Sequence, residues 1–434
     1  MIQPLVPVNI QSNSQVKEIV DSLRSRKGGY EATTISSCLD YLGFRKKFFP
    51  HLVVGGTNGK GSVASILAEI FLAAKRKTGL FITPHLLDVR ERISVDSQPI
   101  SNQEFIEHFE SLENRLEGFY EKGNRKLSFF ETVFLIAVEN FLLKNVEIAI
   151  FEAGLGGIRD ATASLSPLMS IITNVSEDHM HILGADIEEI CREKAGLIFE
   201  GTPFFFGGDS EQVEIFRQRC FELGAELVDP QTLLRRIRSD FEGISGEFLW
   251  DGEWHQFQTP LRGDVQVENL NSSLIVCTKL PFELRPSASE IQESLGRVNH
   301  ACRLEQISES PPILVDGSHN VCGVSNLLQW LRKNVGKSDV MLAMCMKANK
   351  DHTKIAALLK GWNLVIFRLT GKNYLSLSEA RKHYPSALTR SSLQQVLVQF
   401  SKMNSRKKCL VFFGSLSGAA KVKQVLESGS FSRF

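Results

Sequence analysis

The chain has 434 residues, more than a single hydrophobic core accommodates, so two domains are expected. Its 43% hydrophobic and 23% charged residues are ordinary for a globular protein, and a formal net charge of +1 argues against the broad basic footprint of a nucleic-acid or anionic-membrane binder. There is no apolar run near the ~20 residues of a membrane helix, no basic-then-apolar secretory pattern in "MIQPLVPVNIQSNSQ", and no C-x-x-C among eight scattered cysteines, so reduced thiols and a cytoplasmic location are expected rather than a disulfide framework or zinc site.

Taken in chain order, strand-like apolar runs alternate with helical patterns, with no internal repeat. "HLVVGG" begins at His51 and runs into "TNGKGS", after which an alanine-rich helical pattern starts. "VEIAIFEAG" ends at Gly154 and "LMSIITNVS" at Ser176. "EFLWDGEWHQFQTPLRGD" is short, aromatic and turn-rich, and predicts a small antiparallel patch. Beyond it "PPILVDGSHN", "DVMLAMCM", "WNLVIFRLTG" and "KKCLVFFGS" resume the first rhythm. Continuous apolar strands that end in polar or glycine-rich turns, with helices between, predict α/β architecture with parallel sheets covered on both faces. Ligands then belong in the turns beyond the carboxyl ends of the strands. The second series starts near Arg303, which places the boundary between Gly296 and Cys302. Residues 1–297 are expected to form a phosphate-loop ATPase-like domain with a mostly parallel sheet and the antiparallel patch, and 298–434 a smaller Rossmann-like domain.

The loop after His51 departs from the strict rule of Gly, four free positions, then Gly-Lys-Ser/Thr. Gly59 and Lys60 are in place, but Val54 stands where the first Gly belongs and Gly61 where the Ser/Thr belongs; Ser62 comes one position late. Aligned backbone N–H groups at a helix N-terminus bind phosphate, and Gly56, Gly59 and Gly61 let the backbone approach it. Asn58, Gly59, Lys60, Gly61 and Ser62 are therefore candidate nucleotide ligands, with Lys60 supplying a point charge. By themselves the same residues also fit a glycine-rich strand-to-helix turn with an exposed lysine.

Seven further stretches carry candidate chemistry: "FITPHLLDVRERISVDSQPIS", "LSFFETVF", "FEAGLGGIRDATA", "TNVSEDHMHILG", "ICREKAGLIF", "LRGDVQVENLNSSL" and "CRLEQISESPPILVDGSHNVCGVSNLL". Together with "GTNGKGS", and in this order, they resemble the motifs of the bifunctional folylpolyglutamate synthase/dihydrofolate synthase family, a branch of the Mur ligase superfamily. That family spells its phosphate loop as this chain does. The resemblance implies magnesium ligands at Thr83, Glu152, His179 and Lys194, the last carbamylated by CO₂, around two Mg²⁺ ions. A carbamate forms on a neutral amine, so Lys194 should be desolvated or near a cation. The resemblance also implies a pterin pocket lined by Ser128, Phe129, Phe130 and Glu131, with Arg159, Asp160 and Ala161 beside it and Asp160 bonded to the pterin. A phenylalanine pair followed by a carboxylate suits a flat heteroaromatic ring, although helix-core phenylalanines explain that run better when it is taken alone. In the C-terminal half, Asn269 is implied at the base, Arg303 at the ATP phosphates, Asp316 on the ribose or phosphate side and His319 near the reacting phosphate. Lys60, Lys194 and His319 are the implied catalytic residues. Departures from the family stand at Asp88, where relatives often carry Arg, and at Cys302 and Val321, in place of Gly and Pro.

The function so implied is ATP-dependent amide ligation. L-glutamate is added to dihydropteroate, giving dihydrofolate, and to the γ-carboxylate of reduced folates, through an acyl phosphate with release of ADP and phosphate. The expected partners are ATP, L-glutamate and those pterin acceptors, with no nucleic acid or membrane, in a monomer. Phosphate ligands at both ends of the sequence suggest a site shared between domains and closed to water. Two other readings compete. A cell-wall Mur ligase normally carries a UDP-binding domain before the loop, and only about fifty residues precede it here. A non-catalytic nucleotide binder would have had no reason to keep Lys60, Glu152, His179, Lys194, Arg303, Asp316 and His319.

Overall fold

The computed structural model describes residues 13–26, 31–176, 184, 186–369, 373–403 and 408–428. Two compact units form, Met1–Pro230 with Ile275–Ser287, and Gln231–Leu274 with Ala288–Phe434. The 297/298 junction expected from sequence lies inside the second unit, which also takes the antiparallel patch.

The first unit is built on an eight-stranded sheet. In chain order its elements are α1 (Ser14–Ser25), α2 (Ala32–Tyr41), β1 (His51–Gly55), α3 (Lys60–Ala73), β2 (Thr78–Phe81), β3 (Ile93–Val95), β4 (Gln98–Pro99), α4 (Asn102–Glu121), α5 (Phe129–Leu143), β5 (Ile148–Glu152), β6 (Met169–Ile172), α6 (Ile187–Lys194), β7 (Phe204–Phe206), α7 (Val213–Glu222) and β8 (Leu227–Val228). The strand order is β4-β3-β2-β5-β1-β6-β7-β8, parallel from β2 to β8, with β3 and β4 an antiparallel edge. Every residue of β1, β5 and β6 is buried, which is why these segments read as unbroken apolar runs. β1 lies between β5 and β6, with Val54 opposite Glu152 on one side and Ile171 on the other. The chain leaves β1 toward β2 and later returns to β6 on its other flank, so the loop after β1 sits at a topological switch point. Phe151 of β5 is fully buried among Phe49, Phe81, Phe134 and Phe141, at ring-centroid distances of 5.5–6.3 Å. Truncating such a ring costs about 3–5 kcal/mol, so this cluster anchors the strand that ends in Glu152.

The second unit holds two sheets. β9 (Leu234–Asp240), β10 (Gly243–Trp250) and β11 (Glu253–Thr259) form an antiparallel sheet. Asp251 and Gly252 turn the β10–β11 hairpin with φ of 49° and 84°, the doubly positive pair that an Asp-Gly turn adopts. Helix α8 (Asp264–Thr278) runs through the unit boundary. Next come α9 (Ala288–Arg297), β12 (Glu305–Glu309), β13 (Pro312–Val315), α10 (Val321–Asn334), β14 (Val340–Met344), α11 (His352–Leu359), β15 (Asn363–Phe367), α12 (Leu377–His383), β16 (Leu388–Arg390), α13 (Leu393–Ser401), β17 (Cys409–Phe413) and α14 (Leu416–Glu427). Their sheet runs β12-β13-β17-β14-β15-β16, parallel except for β12. All eight cysteines are free, and only Cys322 is exposed. Among the described residues no helix is long and apolar enough to cross a membrane.

Candidate nucleotide and ligation site

The loop between β1 and α3 is held from the flank of β6. Thr57 N donates to Asn174 O (2.9 Å) and Asn58 N to Asn174 Oδ1 (3.0 Å). The Asn58 carbonyl accepts from Thr173 Oγ1 (2.6 Å) and Asn174 Nδ2 (2.9 Å). Gly56 has φ 130°, and a Cβ there would lie 2.1 Å from Thr173 Oγ1, so the position admits only glycine. Gly59 takes the N-cap of α3 at φ 86° and gives no side-chain cap to the first turn. Gly61 lies in that turn and Ser62 is buried just behind it. Lys60 Nζ folds back onto the Gly56 and Thr57 carbonyls at 3.0 and 3.1 Å.

Lys194, at the end of α6, is only 1% exposed, so the desolvation expected of it is present. Its Nζ donates to Gly56 O at 3.2 Å and to Leu155 O at 3.1 Å. One ammonium thus pins the phosphate loop to the glycine loop that follows β5, and shares the Gly56 carbonyl with Lys60. The end of α6 packs hard on that glycine loop: Ile158 N donates to Glu193 O (3.0 Å), and a Cβ at Gly157, φ 158°, would meet the same oxygen at 2.5 Å.

Asp160 is buried, and its carboxylate is engaged by its own loop. Oδ2 accepts from Leu155 N and Gly156 N, both at 2.9 Å, and Oδ1 from Thr162 N and Thr162 Oγ1 at 3.0 and 2.8 Å. Ala161 is buried in the turn this creates. Arg159 turns outward to Glu193, with Nε at 3.3 Å from Oε1. Glu131 behaves like Asp160: it closes a capping box with Ser128 at the start of α5 and takes a bidentate pair from Arg125 at 2.8 and 2.6 Å. Of the implied pterin residues, Phe129 and Phe130 keep half-exposed rings. The Phe130 ring is so near Gly154 that a Cβ there would meet it at 2.8 Å.

Thr83 and Glu152 meet beyond the ends of β2 and β5, where Thr83 N donates to Glu152 Oε2 at 2.8 Å. Arg92 Nη1 donates to Thr83 Oγ1 at 2.9 Å, and Arg92 Nε lies 2.9 Å from His85 Nδ1. Arg24 Nη2, from α1, lies 3.3 Å from the other ring nitrogen of His85. Burial, and then the charges of Arg92 and Arg24, push the His85 pKa down to about 3. Arg92 falls to about 10, mainly through burial. Asp88, where the family often has Arg, is buried against Arg90 (Oδ1 to Nε, 3.0 Å) and caps the short turn at Val89–Arg92. The departure is therefore compensated locally.

In the second unit, Asn269 on α8 is buried and donates to Gln266 Oε1 at 3.0 Å. Asp316, beyond β13, accepts from Leu304 N and Ser318 N, both at 2.8 Å, and so ties down the turn at Cys302–Leu304. Cys302 and Leu304 have φ of 59° and 46°, so cysteine occupies in left-handed conformation the place where the family resemblance implies Gly. Arg303 lies between them, its Nη1 3.4 Å from where a Gly317 Cβ would stand. His319 Nδ1 lies 2.8 Å from Gly317 O, and Asn320 caps α10 by accepting from Gly323 N at 2.8 Å. Lys60 and Lys194 thus meet at Gly56, and Thr83 meets Glu152, on the first unit, while Asn269, Arg303, Asp316 and His319 lie on the second. His179 lies outside the described residues. Sequence reasoning passed over Thr173 and Asn174, signalled only by polar residues at a strand end. It also passed over Arg24 and Arg92, which no local spacing distinguishes from solvated arginines.

A glycine loop at the switch point of a parallel sheet, with one lysine on the loop and a second buried behind it, defines a phosphate-loop ATP-using enzyme. The chain belongs to the Mur ligase middle-domain family, whose model matches residues 54–277. It is 26% identical to folylpolyglutamate synthase of Lacticaseibacillus casei over 413 residues, which cover 91% of this chain and 94% of that protein. It is 29% identical to dihydrofolate synthetase of Saccharomyces cerevisiae over 338 residues, 73% of this chain and 75% of that one. Its fold matches the structure of Mycobacterium tuberculosis folylpolyglutamate synthase complexed with ADP, at TM-score 0.86 and 25% identity over 95% of this chain and 97% of that one.

Proposed function

We propose that this chain is an ATP-dependent ligase that joins L-glutamate to dihydropteroate and to the γ-carboxylate of reduced folates. The observation that carries the ligase reading is the junction at Gly56, whose carbonyl takes both Lys60 Nζ at 3.0 Å and Lys194 Nζ at 3.2 Å. Lys60 places positive charge at the loop where the phosphates of a nucleotide would lie, and Lys194 ties that loop to the residues that follow β5. The names of the relatives support glutamate and folates as substrates.

A carboxylate is a poor electrophile. Its oxygen attacks the γ-phosphorus of ATP, the bond to the β–γ bridging oxygen breaks, and ADP leaves with that electron pair. The acyl phosphate is then attacked at carbon by the glutamate amine, which loses a proton as phosphate departs and the amide forms. Phosphoryl transfer needs position and charge neutralisation more than covalent help. Lys60 and the α3 N-terminus serve the β- and γ-phosphates; Arg303 and His319 keep the nucleotide-side roles that the family resemblance implies. Thr83 and Glu152 offer oxygen donors beyond neighbouring strand ends, the donor type magnesium takes. With His179 and a carbamate on Lys194 they would hold two Mg²⁺ ions, whose chemistry is to neutralise phosphate charge. Eight free thiols favour the cytoplasm.

ADP release measured with Mg-ATP and glutamate, comparing dihydropteroate with tetrahydrofolate, tests the reading. Turnover with both is expected. Turnover with tetrahydrofolate alone restricts the enzyme to tail extension, and silence with both overturns the proposal.

A further inference from the structure

The cluster of Arg24, His85 and Arg92 around Phe129 is not explained by phosphate binding or by the candidate metal ligands. Both guanidiniums ride on the Phe129 ring, at 5.5 and 5.2 Å from its centroid. His85 stands between them, with Arg92 Nε 2.9 Å from Nδ1 and Arg24 Nη2 3.3 Å from Nε2. A neutral imidazole offers one acceptor nitrogen, and a guanidinium offers none. One of the two contacts therefore sets an N–H against an N–H. Among the described residues no carboxylate forms an ion pair with Arg24 or Arg92. The nearby carboxylates are engaged elsewhere: Glu91 takes the backbone amides of Leu86, Leu87 and Asp88, and Glu152 takes Thr83 N. Two like charges over one aromatic ring, beside an imidazole that cannot satisfy both, form a receptor for an anion.

Resting on the ligase reading above, we propose that Arg24, His85 and Arg92 bind the non-reacting α-carboxylate of a glutamyl-terminated folate. A planar carboxylate meets guanidinium donors bidentately. In that grip its charge is neutralised and it is a weak nucleophile, so the site suits a carboxylate that is bound rather than phosphorylated. Arg92 also reaches Thr83 Oγ1, which keeps the site beside the place where the γ-carboxylate would react. Within one glutamyl group the α- and γ-carboxylates are separated only by a short aliphatic chain. Dihydropteroate carries a single carboxylate, the reacting one, and has nothing to place here. The trio therefore senses whether the acceptor already ends in glutamate.

The test is equilibrium binding of tetrahydrofolate and of dihydropteroate, without ATP, to the full chain and its Arg24→Gln and Arg24→Lys variants. Arg24 is exposed on α1, so both variants fold. Arg24→Gln is expected to weaken tetrahydrofolate about tenfold and dihydropteroate less than about twofold, with Arg24→Lys between. Equal weakening of both ligands, or unchanged tetrahydrofolate affinity, overturns the inference alone. So does a rise in the KM for L-glutamate with tetrahydrofolate affinity unchanged, which would give the trio to the incoming amino acid. A wild-type protein that binds neither pterin overturns the ligase reading and the inference with it.

Discussion

Two turns of the molecule are built to one plan and finished differently. Beyond β1, a strand end leads through glycines to α3, whose N-cap is Gly59 with no side chain to offer. Beyond β13, a strand end leads through Asp316 to α10, whose N-cap Asn320 accepts from Gly323 N. The second turn is closed by its own side chains, with Asp316 stitching the chain at Leu304 and Ser318. The first is held from outside by Thr173, Asn174 and Lys194, with its own Lys60 folded back onto the Gly56 and Thr57 carbonyls, and its helix start carries no side-chain cap. A turn that serves an anion is recognised by what holds it from behind and by a helix start that has no side-chain cap.

Four variants would break or sharpen this contrast. Lys194→Ala removes the pin between the two loops of the first unit; ADP release should fall at least about a thousandfold, some 4 kcal/mol in barrier, with partial rescue by a short-chain carboxylate if a carbamate is what acts. An intact-mass spectrum of the active enzyme showing unmodified Lys194, with full turnover in the absence of CO₂, would remove the carbamate. Asp160→Ala strips acceptors from four donors, three of them buried, at about 1–3 kcal/mol for the first and less for neighbours that relax together. Because those donors belong to the glycine loop rather than to a ligand, turnover with dihydropteroate and with tetrahydrofolate should fall together; selective loss of dihydropteroate use would return Asp160 to the pterin.

His51, at the start of β1, supplies the pH dependence. Burial pulls its pKa from 6.5 to about 4. A base depressed in the folded state stabilises fully above the unfolded value, and the contribution is lost as pH falls from 6.5 toward 4, about 3 kcal/mol in all. Thermal melts across that window should show a steeper acid decline for the wild type than for His51→Phe, and equal slopes would sink the assignment. The smallest effect is expected in the self-closed turn. Asn320→Ala should cost about 1 kcal/mol of stability, read as a lower urea midpoint with unchanged slope.

The central strands were legible because parallel strands buried on both faces must be apolar throughout, and the β10–β11 hairpin because Asp251-Gly252 sits between aromatic runs. The phosphate loop was legible from its glycines and Lys60. The destinations of carboxylates were not. Asp160 and Glu131 look alike in sequence whether they face a ligand or their own backbone, and only the fold shows them turned inward. Arg24 and His85 stand 61 positions apart, and a single arginine on an amphipathic helix carries no mark of a partner so distant.

The division of the chain into units also dictates an order of assembly. The first unit runs to Pro230 and then needs Ile275–Ser287, while the segment between, Gln231–Leu274, belongs to the second. On the ribosome the first unit cannot finish when its last strand emerges; it waits until the antiparallel sheet of the second unit and most of α8 have been made. At about 5–20 residues per second this leaves seconds during which an incomplete first unit and an orphaned hairpin sheet coexist. Cutting the gene at either apparent end of the first unit would make that interval permanent.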